Sequence, residues 1–534
     1  MRAPGSLSID YRPWIIALFV LGTFSIGIRN QFVWDDFDFI LRNAYLHDLG
    51  NIPRFLFSGD AAGTGFDNPY YRPLTTATFA LDYALWGGNP AGFHATNVAL
   101  HLLTCIVLYR TLLHLTAAPS AALGATLLFS VHPAHSEPVG YISARADILC
   151  ALFMLLSLLQ FLRAEESGNR RHLALSLASF VLALLSKIVA LVLPPLLILH
   201  LIWAGNRTKS AKTLLPFAAL SIAFLILRSR VLVMEAWGPV SFHVRAASAG
   251  PYLLGYIRNA LAPVDLKVFC DVPLRSGFSD PAVLASWLCI GAIGVATLLL
   301  ARRRPLVSFG IAWFFAALLP VCGLVTILFP ARMADRYLYI PLLGLAFVVA
   351  SVWKEAASSG RSMAFRKGAV AVIGVLVLAA AAGTALRLQV WRDSLAMWST
   401  AVADAPGSLY AKNGLAATYM EKESFAEAER ILNEVIAIRD DNAQTRINLA
   451  GIEFRRGNLD KMEVHVNRAL ELRPLSHVAL TYLGVIKARK GWTREAMLLF
   501  QEALRLNPSY DYARENIDII RRHLPAEESP RNGA

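Results

Sequence analysis

The chain has 534 residues, of which 56% are hydrophobic and 17% charged, and a formal net charge of +13. Windows of about 20 apolar residues recur through the first 390 residues, which excludes an ordinary soluble core there, since a helix needs that length to cross hydrocarbon. The basic excess reads as membrane orientation. No basic groove interleaved with aromatics and no nucleic-acid motif is present, so no nucleic-acid partner is expected.

The first apolar stretch, 13–28, follows Arg2 and Arg12 and lacks an Ala-x-Ala cleavage site. It is expected to serve as an uncleaved anchor and targeting signal. Further spans are predicted at 95–114, 119–133, 144–162, 173–187, 189–204, 213–233, 281–301, 305–329, 336–353 and 368–386, about eleven in all. Basic groups fall in alternate loops: Arg163, Arg170 and Arg171; Arg207, Lys209 and Lys212; Arg302, Arg303 and Arg304; Lys354, Arg361, Arg366 and Lys367. The positive-inside bias puts these loops and the amino terminus in the cytoplasm, and the segment after the last span outside. The apolar stretch 251–269 is read as interfacial or re-entrant, because a full crossing would move Arg302–Arg304 outside. Cys105, Cys150, Cys289 and Cys322 sit in apolar spans and Cys270 beside one, with no Cys-x-x-Cys. Neither a disulfide framework nor a sulfur metal site is expected.

The outside loop 29–93 is too long for a simple connector. It holds Asp35, Asp36, Asp38, Asp48, Asp60, Asp67 and Asp82, with Gly59, Gly63 and Gly65 at an irregular centre and a short amphipathic helix expected over Ile52–Phe57. Asp35-Asp36 offers a general base for an acceptor hydroxyl, the neighbour tuning it or holding a divalent cation; the bland reading is a solvated acidic loop. Next comes His132-Pro133-Ala134-His135-Ser136-Glu137, then Tyr141, Arg145 and Asp147. The histidines and Glu137 suit metal ligation, a hydrogen-bonded interhelical cluster or substrate contact, and they do not form the His-Glu-x-x-His zinc motif. Arg145 presents a planar fork for a phosphate, and Lys187 either a point charge for the same task or a side chain snorkelling to the interface. Arg332, Asp335, Arg336, Tyr337 and Tyr339 repeat this chemistry at the outer end of another span, where Asp335 has arginines at hand to pair with.

A Trp-rich helical linker, 391–407, with Trp391 and Trp398, is expected to anchor at the interface. Three stretches of thirty-four residues then begin at Ser408, Asn442 and Ser476. Leu415, Leu449 and Leu483 share one column, and Ala416, Ala450 and Gly484 the next. That period is the signature of tetratricopeptide helix pairs, whose tight packing demands small residues. The predicted fold class is therefore all-α: a polytopic membrane bundle over 1–390, three repeats and a capping helix over 408–524, and a disordered tail, 525–534.

Trp34-Asp35-Asp36, Tyr71-Arg72-Pro73-Leu74, His132-Pro-x-His135-x-Glu137 running to Arg145-Ala146-Asp147, Ser186-Lys187 and Asp335-Arg336-Tyr337-Leu338-Tyr339 occur in that order ahead of the repeats. The set resembles the transmembrane and tetratricopeptide-repeat family of protein O-mannosyltransferases and its bacterial relatives, of the GT-C class, over about residues 13–510. The resemblance implies a polyprenyl-phosphate sugar donor in the membrane, a site in the outside loops and inversion at the sugar carbon; the expected function is transfer of mannose or another hexose to a hydroxyl of a protein or other acceptor, which the repeats beside that face engage. It implies Asp35 or Asp36 as the base, and Arg145, Lys187, Arg332 and Arg336 as phosphate ligands. Tyr71, Arg72, His132, His135, Glu137 and Tyr337 then shape the site. Relatives commonly carry Ser-Lys-Glu where this chain has Ser186-Lys187-Ile188, which leaves Lys187 without an obvious local partner. The alternative function is a non-catalytic membrane scaffold for envelope assembly. A bacterial inner membrane is the expected location, with an endoplasmic reticulum membrane as the alternative.

Overall fold

The computed structural model describes residues 10–58, 70–203, 210–231, 240–270, 272–324, 333–358, 362–508 and 510–523. The regular elements among them are helical, apart from an isolated antiparallel bridge between Cys270 and Met333. The chain divides into two compact units between Met397 and Trp398.

In the first unit each predicted span falls on a helix. Seven are long and apolar enough to cross a membrane: Arg12–Arg29, Pro90–Thr116, Ile142–Ser167, Thr213–Val231, Pro281–Leu300, Asp335–Ala357 and Met363–Trp391. The other four, Pro119–Ser130, Arg170–Ser186, Ile188–Trp203 and Pro305–Leu318, are shorter. The stretch read as interfacial is displaced. Its helix is Phe242–Leu261, started by the Ser241 cap, carried through Pro251 by a buried face of Ala247, Ala249, Tyr252 and Tyr256, and stopped before Pro263. Within the bundle, Gly310 and Gly344 let two helices touch backbone to backbone, since a Cβ on either would strike the other's carbonyl.

Ion pairs sort the helix ends. His114 meets Glu166 at 3.1 Å, and Arg304 meets Glu355 at 3.0 Å. Glu166 and Glu355 lie at the far ends of the helices that begin at Arg145 and Asp335. The loops with Asp35, Glu137, Arg145, Lys187 and Arg336 therefore gather at one end of the bundle, as their order in the chain predicts. Arg332 lies outside the described residues.

The second unit contains three helix pairs: Leu409–Glu421 with Phe425–Ile438, Ala443–Arg456 with Leu459–Leu472, and His477–Arg489 with Thr493–Leu506, followed by Asp511–His523. Ser408, Asn442 and Ser476, the first residue of each repeat, are the N-caps of the leading helices, accepting from Ala411, Gln444 and Ala479 N–H groups. At Gly484 a Cβ would come within 2.6 Å of the Phe500 ring, which is why this column is small. The turn inside each pair needs a left-handed residue: Gly457 (φ +79°), Gly491 (φ +82°) and, in the first copy, Glu423 (φ +58°).

Candidate active site

Beyond Phe24 the first helix tightens into a 3-10 turn, Ser25–Arg29, and the chain reverses at Trp34, whose φ of +53° few non-glycine residues adopt. Two contacts hold that turn. The Trp34 indole stacks on Tyr141 with ring centres 5.7 Å apart, and Asp36 is clamped two residues on. One Asp36 oxygen accepts from the Ser143 N–H (2.8 Å) and hydroxyl (2.5 Å), and the other from the Val33 N–H (3.1 Å). Asp36 is fully buried. Asp35 has no such clamp. Half-buried, it faces the Tyr141 hydroxyl, which lies short of a full hydrogen bond, and the Arg336 and Arg72 guanidinium groups. Burial pushes the Asp35 carboxyl up to about 6 despite Tyr141 and Arg336. Burial likewise pushes Asp36 up to about 7 against its Ser143 and Val33 bonds. The two adjacent acids thus differ: Asp36 is tied into the loop by Ser143 and Val33, and Asp35 is not.

The cations are sorted the same way. Arg145 is fully buried and spent on the fold: it donates to Asn97 (2.6 Å), Asp82 (2.5 Å), the Phe93 carbonyl (3.0 Å) and Thr78 (3.3 Å). Its fork is occupied by these internal partners, where the sequence reading expected a phosphate. Lys187 breaks the helix Arg170–Ser186 with an extended backbone and donates to Asp147 at 2.6 Å, both side chains being buried. The partner that Ile188 fails to supply thus comes from forty residues upstream. Lys187 is no snorkelling side chain, and its ammonium lies 5.2 Å over the Tyr337 ring. Arg336 clasps Glu137 with its guanidinium and its backbone N–H (2.8 Å) and lies over Trp34 (5.6 Å) and Tyr337 (5.1 Å). Asp335 pairs with Arg387 at 2.8 Å. Arg72 differs from all of these. It is partly exposed, stacks over Tyr70 at 4.2 Å, and has no carboxylate partner among the described residues. A narrow pocket lined by Arg72, Tyr70, Thr75, Thr76 and Ser143 joins it to the Asp36 clamp.

The motif His132-x-x-His135-x-Glu137 comes apart. His132 caps the turn Pro133–His135 through Nδ1 and donates from Nε2 to the Ala260 carbonyl at 3.1 Å, so neither nitrogen is open. His135 is buried among Phe129, His101 and Tyr339, and Glu137 is taken by Arg336. No three His, Cys, Asp or Glu among the described residues converge as a metal site. Tyr71 is structural, its hydroxyl donating to the Leu56 carbonyl at 2.8 Å and its ring packed beside Phe224. Trp391 does not anchor at an interface. It is fully buried and stacks on Tyr141 at 5.5 Å. Sequence reasoning missed Ser143, Asn97 and Trp391 as members of the centre. Their partners lie 48 to 107 residues away or, for Trp391, on a different span, and no local spacing signals them.

Fold and centre define a class: a multi-pass, all-helical integral membrane protein that gathers carboxylates and cations from four loops at one end of its bundle. A family model described as dolichyl-phosphate-mannose-protein mannosyltransferase matches residues 55–233, which carry Tyr71, Arg72, Glu137, Arg145 and Lys187 but neither Asp35 nor Arg336. Protein O-mannosyl-transferase TMTC4 of Mus musculus is 37% identical over 187 residues, 31% of this chain and 25% of that protein. Protein O-mannosyl-transferase TMTC3 of Mus musculus is 23% identical over 547 residues, 90% of this chain and 58% of the relative. The Drosophila melanogaster Tmtc3 is 26% identical over 465 residues, 71% and 49% of the two chains. The chain spans less than two thirds of the length of these relatives. Together the matches make the chain similar to the protein O-mannosyl-transferases of the TMTC kind, by family model over residues 55–233 and at lower identity over most of its length.

Proposed function

We propose that the chain is an integral-membrane glycosyltransferase that moves a hexose, mannose first among the candidates, from a polyprenyl-phosphate donor to a hydroxyl of a protein acceptor. The observation that carries this reading is that Asp35, the carboxylate of the acidic pair that Ser143 and Val33 do not clamp, feels the charge of Arg72, a guanidinium with no carboxylate ion pair among the described residues. Asp35 takes the proton of the acceptor hydroxyl as its oxygen attacks the anomeric carbon. The bond from that carbon to the phosphate oxygen breaks, its electron pair leaves with the lipid phosphate, and configuration inverts. Arg72 meets the charge that develops on the phosphate, and Lys187 and Arg336, already neutralised by Asp147 and Glu137, shape the field around it.

A lipid-linked sugar diffuses in the bilayer, which suits a site at helix ends. The soluble acceptor is raised in local concentration by the repeats, on the non-cytoplasmic side that the charge pattern favours. The scaffold alternative draws on the repeats as interaction modules and on the missing carboxylate after Lys187; the Asp147 partner answers the second of these. The test is donor selection. Purified full-length protein in lipid nanodiscs is titrated with polyprenyl-phosphate hexoses and with nucleotide-linked hexoses. Stabilisation by a lipid-linked sugar, weakened about tenfold or more in Arg72→Ala (1.4 kcal/mol per factor of ten), is expected. Stabilisation by nucleotide-linked sugars alone would overturn the proposal.

A further inference from the structure

The segment that leads out of the last span runs through the candidate site. The Asn30 amide donates to the Leu388 carbonyl at 3.2 Å, and the Gln31 N–H to the Arg392 carbonyl at 2.8 Å, tying the segment to the strand of chain that ends in Asp35. Arg387 pairs with Asp335, next to Arg336. Gly140 is pressed so closely that a Cβ there would come within 2.8 Å of Leu388 and 3.6 Å of Trp391. Trp391 itself completes a ladder of three near-parallel rings: Trp391 on Tyr141 (5.5 Å, 15°) and Tyr141 on Trp34 (5.7 Å, 16°). Each of the three loops that bear Asp35, Glu137 and Arg336 is thus fastened to one stretch of six residues, 387–392.

We infer that Trp391 is a positioning residue for Asp35, acting through Tyr141, and that residues 387–392 form a strap that sets the geometry of the whole site. The inference rests on the reading of Asp35 as the base. The Tyr141 ring is held on one side by Trp34 and on the other by Trp391, so its hydroxyl has one direction to face, toward the Asp35 carboxylate. The indole N–H of Trp391 is buried without an acceptor among the described residues, so its contribution here is the stacked ring and not a hydrogen bond. The groups facing Asp35 are Tyr141, Arg336, Asp38, Arg72 and Tyr70, with Asp36 adjacent. Loosening the ladder withdraws the Tyr141 hydroxyl, which favours the ionised carboxylate, and leaves burial unopposed on that side. The base then titrates at higher pH.

The experiment compares Trp391→Leu, Trp391→Phe and Tyr141→Phe with wild type and Asp35→Asn in hexose transfer from a polyprenyl-phosphate donor, measured from pH 5 to 9. Trp391→Leu is expected to lower kcat about tenfold or more, as small misplacements of reacting groups do, with donor KM unchanged and the acid limb moved to higher pH. Trp391→Phe, which keeps a stacking ring, restores most of kcat. Tyr141→Phe removes one oxygen, does not depend on Trp391→Leu folding, and moves the acid limb in the same direction. If wild type transfers and Asp35→Asn does not, yet Tyr141→Phe and a folded Trp391→Leu keep the wild-type kcat and pH profile, the strap inference alone is overturned. If Asp35→Asn transfers like wild type, the base reading fails and takes this inference with it.

Discussion

Replacing Asp35 by Asn removes the carboxylate that the structure leaves unclamped while keeping its shape. Loss of a general base typically costs about 100- to 10,000-fold in rate, so Asp35→Asn is expected to lose transfer by that factor while still folding and binding donor. The wild-type pH profile follows from the same group. With the carboxyl at about 6, only about one tenth is ionised at pH 5 and nearly all at pH 8, so the rate should fall about tenfold between those values. The sign is that of a base: activity is present above 6 and lost below it. Asp36→Asn acts differently. An amide still accepts from Ser143 but sets an N–H group against the Val33 N–H, costing about 1–3 kcal/mol in an unmet bond. It should lower thermal stability more than Asp35→Asn does and lower kcat less. The assay is release of polyprenyl phosphate by purified protein, alongside thermal unfolding. An active Asp35→Asn, or a stable but inactive Asp36→Asn, would refute the division of labour between the two acids.

Sidedness is tested by single cysteines placed near Arg303 and near Glu423 in a cysteine-free background, needed because Cys289 is exposed; membrane-impermeant labelling should reach them from opposite sides, and labelling from one side would break the orientation proposed from charge. Lys187→Met or Asp147→Leu alone should cost about 3–5 kcal/mol by stranding a buried charge, whereas the double variant should recover most of that stability, as a double-mutant cycle of unfolding free energies will show. Glu423→Gly should stabilise the first helix pair by about 0.5–1 kcal/mol, because Gly adopts φ +58° without strain; slower hydrogen exchange in Leu409–Glu421 checks it, and faster exchange would count against the left-handed cap.

Much of this architecture is legible in the chain because it repeats or is long. The thirty-four-residue period falls on the helix caps at Ser408, Asn442 and Ser476, and the apolar spans fall on helices. Asp35, Asp36, Glu137, Lys187 and Arg336 were legible as motifs, and the folded chain brings them to one end of the bundle. Their roles were not. A cation is free or spent according to partners 63 residues away for Arg145 and Asp82, 40 for Lys187 and Asp147, and 199 for Arg336 and Glu137. Only tertiary packing makes those pairs, so a sequence shows Arg72, Arg145, Lys187 and Arg336 as similar cations, whereas among the described residues the last three have carboxylate partners and Arg72 has none. Helix phase was likewise invisible at the acidic pair, because the left-handed turn at Trp34 is imposed by the stack on Tyr141 and not by Trp34 itself. Trp391 reads as an interface residue by composition, and only its place between Gly140 and Tyr141 says otherwise.

The central claim is that Asp35 and Arg72 mark a site for sugar transfer from a lipid phosphate. Its most direct test is a single-turnover reaction of the full-length protein in vesicles with a labelled hexose on polyprenyl phosphate and a hydroxyl-bearing protein acceptor. The account predicts label on a serine or threonine oxygen of the acceptor, inverted at the anomeric carbon, with one polyprenyl phosphate released per sugar transferred. Label that stays on the lipid with every hexose tried, in protein that binds those donors, would contradict it.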